Sequence, residues 1–164
     1  MGLIAIDKEL ARKVLRDPVN LLAFGLGTGL SPVAPGTVGS MLGVALAWLV
    51  QPLAVEWQLM LGIALIPSGI WICGESARRV GVHDHSGIVW DEIAAMYLLL
   101  LMVPLSMPGW ALAFGLFRLF DIWKPWPIRD LDHRLHGGLG IMLDDLVAAL
   151  YAVLLLALGD WLMT

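Results

Sequence analysis

Five acids stand at the edges of apolar runs. Asp91 and Glu92 open one run, Asp121 closes the next, and Asp144 with Asp145 open the last. A carboxylate at such a boundary is costly to hold, and a functional role is the default reading. The runs alternate in direction, which brings all five acids to one face. Oxygen ligands converging from several helices suit a hard cation such as Mg²⁺, which also neutralises their mutual repulsion. Successive helical residues point about 100° apart, so one member of each adjacent pair is the expected direct ligand. Asp84, in a loop, adds a further oxygen donor. A helix cap or macrodipole contact is the simpler account of either adjacent pair. It fails for Asp121, which lies near a C-terminal helix end, where negative charge is disfavoured.

Arg118, Asp121 and Lys124 follow at three-residue spacing, on one helical stripe. Arg118 and Lys124 holding phosphate oxygens while Asp121 holds metal would form the electrostatic clamp that phosphoryl transfer needs. The alternative is a snorkelling stripe balanced by local salt bridges. Pro125 and Pro127, which drive the chain out of helix beside these charges, favour the clamp. The loop from Thr28 to Ser40 leads into the first run, and its Gly36 backbone with the Thr37 and Ser40 hydroxyls could cradle an anion at a helix start. By its residues alone, an ordinary capped helix entry explains that loop as well. No Walker ending is present.

Two arrangements are decoys. Cys73 and Arg79 have the spacing of thiol phosphatases, but Cys73 ends an apolar run and Glu75 would put negative charge inside the phosphate loop. His83, His85, His133 and His136 suggest a zinc site, yet they fall in loops where solvated histidines are the simpler reading.

The elements that must position these residues are apolar helices. Of the 164 residues, 59% are hydrophobic and 15% charged, and the mean hydropathy is +0.82. One small core could not bury that much apolar surface, so lipid is part of the solvent. The expected fold is an all-α polytopic membrane bundle in a single domain, residues 1–164. Its five apolar helices run from Val38 to Ala54, Trp57 to Cys73, Ile88 to Val103, Gly109 to Trp123 and Ile141 to Met163. Leu21 to Leu30 is too short to span and rich in Gly, so it lies at the interface or packs on the bundle. With the N-terminus inside, Lys8, Arg12, Lys13, Arg16, Arg78, Arg79, Lys124, Arg129 and Arg134 all fall in cytoplasmic segments. Neither external loop holds a Lys or Arg. The net charge of -4 gives no basic footprint for nucleic acid. One cysteine allows no internal disulfide, and no removable signal peptide is read at the N-terminus.

A divalent-cation channel or transporter is the rival class, since intramembrane acids also mark ion pathways. Against it, the outer halves of the runs carry no charge along a path, and the external acids Glu56 and Asp160 lie at a loop and the terminus.

The chain resembles the bacterial phosphatidylglycerophosphatase A family. The resemblance rests on Leu30-Ser31-Pro32 through Gly36-Thr37-Val38-Gly39-Ser40, His83-Asp84-His85 through Asp91-Glu92, and Phe117-Arg118 with Asp121. It continues in Lys124-Pro125-Trp126-Pro127-Ile128-Arg129 with Asp132, and Gly137-Gly138 through Asp144-Asp145. It implies a Mg²⁺-dependent phosphatase of the bacterial inner membrane, facing the cytoplasm. The substrate would be phosphatidylglycerophosphate and the lipid product phosphatidylglycerol. It implies metal ligands among Asp84, Asp91, Glu92, Asp121, Asp144 and Asp145, with Gly36, Thr37, Ser40, Arg118, Lys124 and Arg129 on the substrate. The sequence carries no reading of oligomeric state.

Overall fold

The computed structural model describes residues 8–82, 85–130, 135 and 137–163, and every regular element among them is helical. Helix α1, Lys8–Arg16, turns Val14 into the core and its cations outward. Helix α2, Pro18–Ala23, starts where the Asp17 carboxylate accepts the Val19 amide at 2.9 Å. Arg79 also donates to both Asp17 oxygens at 2.8 Å, which holds that carboxyl below its usual range. The buried Ser76 hydroxyl donates to buried Asn20 at 2.9 Å. The N-terminal segment is thereby pinned to one end of helix α4, Val55–Val80. Gly25–Leu30 forms a 3-10 segment broken at Leu26 and Gly27, with Phe24 fully buried just before it. Of the two placements expected for Leu21 to Leu30, the structure favours packing on the bundle.

Helix α3, Pro35–Val50, lies along helix α5, Trp90–Leu101. Gly43 lets them approach, since a Cβ there would meet the Ile93 carbonyl at 2.7 Å. Helix α5 also packs against α4 and against helix α7, Gly138–Met163, which makes it the buried centre of the bundle. Helix α6, Met107–Trp123, is capped by Ser106, whose hydroxyl accepts the Gly109 amide at 3.1 Å, and it packs on α7 and α5. At the start of α7 a Cβ on Gly138 would collide with the Ile70 carbonyl of α4, so this crossing requires glycine.

Each apolar run falls within or around a helix, and the last two end at Trp123 and Met163 as read, while the other ends are shifted. Helix α4 continues past Cys73 because Glu75 pairs with Arg78 and Arg79 at 2.7 Å, and it stops at left-handed Gly81. Hydropathy ends at the first charges; helical pairing does not. Among the described residues, α4 and α7 are the two helices long and apolar enough to cross a membrane, at 26 residues each. Helix α3 is apolar but has 16 residues. The 12 residues of α5 rise about 18 Å against a hydrocarbon core of roughly 30 Å. Crossing by five helices therefore does not follow from their lengths. The outward faces are nevertheless apolar, with Trp48, Ile63, Trp71, Leu112 and Leu158 at least half exposed.

Candidate active site

The first turn of α3, the start of α5, the end of α6 and the first turns of α7 converge on one pocket of about 250 Å³. Asp91 and Glu92 enter from α5 and Asp145 from α7, each offering a carboxylate oxygen within 4.8 Å of the others. All three are buried. Asp91 Oδ1, Glu92 Oε2 and Asp145 Oδ2 lie out of solvent and meet no hydrogen-bond partner among the described residues. Burying such oxygens unpaired is expensive. Their number, type and spacing fit a hard divalent cation, which takes oxygen ligands.

The cations sit on the rim of this acid group. Arg118 Nη1 lies 2.5 Å from Asp121 Oδ2, 3.9 Å from Glu92 Oε1 and 3.4 Å from Ser40 Oγ. Ser40 donates its hydroxyl to the Gly36 carbonyl at 2.8 Å, so its oxygen is left facing Arg118. Lys124 Nζ donates to Asp144 Oδ2 at 2.7 Å. Gly36 leaves the space these groups use, because a Cβ there would collide with Glu92 Oε1 and lie 3.2 Å from Arg118 Nη1. Ala34 and Lys124 both line the pocket in left-handed backbone, φ 46 and 45. A non-glycine residue pays about 1–2 kcal/mol for that conformation, and such strain gathers at functional sites.

Asp91, Glu92, Asp121, Asp144, Asp145, Gly36, Arg118 and Lys124 all line the pocket. Their partnerships differ from the sequence reading. Both members of the Asp91–Glu92 pair join the three-acid group, whereas Asp121 and Asp144 each hold a cation. Lys124 is not on the Arg118–Asp121 stripe: α6 ends at Trp123, and the left-handed cap swings Lys124 towards α7. Thr37 is half-buried in α3 and Arg129 is exposed, and neither lines the pocket. Asp84, His83, His133 and His136 lie outside the described residues. His85 accepts the Gly87 amide at Nδ1 and rests against Phe24. Cys73 is buried within continuous helix rather than in a phosphate loop. Ser86, Ile88, Ala34 and Pro35 also line the pocket; Ala34 and Pro35 fall in the Thr28 to Ser40 loop read as an anion cradle, and only nearness in sequence to Asp91 signalled Ser86 and Ile88.

The fold and site define a class: an all-helical protein with apolar outer faces, holding buried oxygen donors and two basic side chains in one small pocket. The model of the phosphatidylglycerophosphatase A family matches residues 21–160, and the chain belongs to that family of phosphatases. The phosphatidylglycerophosphatase A of Escherichia coli (strain K12) is 44% identical over 156 residues, covering 90% of this chain and 88% of the relative. That of Haemophilus influenzae is 43% identical over 160 residues, covering 96% and 98%. A Bacteroides thetaiotaomicron relative, provisionally named a phosphatidylinositol-3-phosphatase, is 36% identical over 150 residues, covering 86% and 92%. No solved structure matches the chain.

Proposed function

We propose that this protein hydrolyses the terminal phosphomonoester of phosphatidylglycerophosphate, giving phosphatidylglycerol and inorganic phosphate, with Mg²⁺ as cofactor. The observation that carries the reading is the group of buried, unpartnered oxygens on Asp91, Glu92 and Asp145 beside Arg118 and Lys124 in a pocket of about 250 Å³. The names of the Escherichia coli and Haemophilus influenzae relatives supply the substrate. Asp91, Glu92 and Asp145 would hold Mg²⁺, which polarises a phosphoryl oxygen and makes bound water nucleophilic near neutral pH.

The chain's own residues do the rest. Arg118 and Lys124 exchange their carboxylate partners for phosphate oxygens, so substrate meets cations already held in place and desolvated. Ser40 and Asp121 fix the direction of the Arg118 fork. Gly36 keeps the rim clear and leaves the start of α3 open to an anion. No thiol takes part. The cation-channel reading is weaker, because beyond the acids the buried side chains described on α5 and α7 are apolar apart from Tyr97, whose hydroxyl donates to the Gln58 carbonyl at 2.8 Å.

The same reading covers the setting. Residues 1–164 act as one domain in the bacterial inner membrane. Five apolar helices cross or dip into the bilayer, and the Lys- and Arg-rich face, which holds the site, is cytoplasmic. A pocket at headgroup depth receives the phosphate of a lipid whose acyl chains stay in the bilayer. The test is phosphate release by purified protein when Asp145→Asn is compared with wild type: wild-type rates in that variant would refute the assignment.

A further inference from the structure

An apolar groove of about 590 Å³ runs between α3 and α6, walled by Met41, Val44 and Trp48 on one side and Trp110, Ala111 and Phe114 on the other. These two helices also carry the rim of the active site, Gly36 and Ser40 on α3 and Arg118 and Asp121 on α6. They pack on α5 and α7 rather than on each other, and they meet through Ser40 and Arg118 at 3.4 Å. Immediately beyond that contact the groove opens: Met41 follows Ser40, and Phe114 stands one helical turn from Arg118. From there to Trp48 and Met107 the walls extend about 10 Å. Small Ala45 and Ala111 leave its width.

We propose that this groove is the acyl-chain subsite, which takes one fatty chain of the phosphomonoester lipid while its phosphate lies among Arg118, Lys124 and the acids. The inference rests on the lipid-phosphatase reading and adds the path by which the substrate is held. Continuity with the site selects this groove over the other apolar one, of about 260 Å³ between α6 and α7. There the Phe120 and Tyr151 rings pack edge to face at 5.7 Å, and along α7 Tyr151 comes between Asp145 and the lining Leu154, Leu155 and Leu158. A chain in the α3–α6 groove contributes binding energy remote from the reacting phosphorus, and buried methylenes supply it in proportion to length.

The test compares phosphate release from dibutanoyl and dioleoyl phosphatidylglycerophosphate in one detergent. The variants are Ala45→Trp and Ala111→Trp, with Leu112→Trp on the outer face of α6 and Leu154→Trp in the other groove as controls. The expected result is that the long-to-short ratio of kcat/KM falls roughly tenfold or more in the first two, through KM, and holds at the wild-type value in the controls. Should Ala111→Trp lose turnover of both substrates, Ala111→Leu is read in its place. An unchanged ratio in the groove variants, or a fall confined to Leu154→Trp, overturns the inference while leaving the phosphatase intact. Wild type that releases phosphate from neither lipid overturns the functional reading, and this inference with it.

Discussion

Asp145 meets Asp91 and Glu92 from another helix, and none of the oxygens left bare in that group has a donor among the described residues. Replacing Asp145 by Asn keeps the volume and removes a charge, so a role in holding cation predicts a fall in phosphate release of about 10²-fold. Mg²⁺ affinity should drop alongside, measured by the concentration that restores half-maximal rate. Asp121→Asn acts differently, because Asp121 binds Arg118 directly. Its loss should appear first as a raised KM, with the Mg²⁺ requirement near that of wild type. Cys73→Ser, buried inside α4, should stay active; its inactivation in a folded protein would revive a thiol mechanism. That these acids share a face was legible from helix direction alone. Which of them pair with cations was not, because it depends on the rotation of each helix and on the left-handed cap that turns Lys124 to Asp144. Ser40 illustrates the same limit: its hydroxyl bonds back to Gly36 within its own helix, so it orients Arg118 rather than standing free for substrate.

Among elements, the crossing of α7 over α4 depends on Gly138, where any Cβ meets backbone. Gly138→Ala should therefore lower the thermal midpoint more than a surface alanine does, and it should lower activity too, since the first turns of α7 carry Asp144 and Asp145. At the other attachment, Asp17 caps α2 and binds Arg79. Asp17→Ala should cost about 1 kcal/mol, mostly the lost cap. Because Arg79 depresses the Asp17 carboxyl, its contribution is full above the ordinary carboxyl value of 3.8 and is lost as pH falls through the lower folded value. The deficit of the variant, read as the difference in thermal midpoint, should narrow in acid; a constant difference would contradict the contact. Apolar runs located these helices well, and the run read to Trp123 ends where α6 ends, while other ends moved where charge pairs prolonged a helix, as at Glu75 to Arg79.

For the whole molecule, the pocket gathers helix ends from one side of the bundle, and the same side carries the Arg78–Glu75–Arg79–Asp17 pairs. The distribution of Lys and Arg is the ground on which that side is proposed to face the cytoplasm. In a Cys73→Ser background, Ser106→Cys should react with an impermeant maleimide in cells whose outer barrier is opened, and Val82→Cys only after the inner membrane is broken. The reverse pattern would invert the topology. The account as a whole turns on the acid pocket acting through metal on a lipid phosphate. Phosphate release from phosphatidylglycerophosphate in detergent micelles, with Mg²⁺, in EDTA and after Mg²⁺ is restored, tests it most directly. The account predicts turnover that EDTA abolishes and Mg²⁺ returns; no release with Mg²⁺ present, or full release in EDTA, would contradict it.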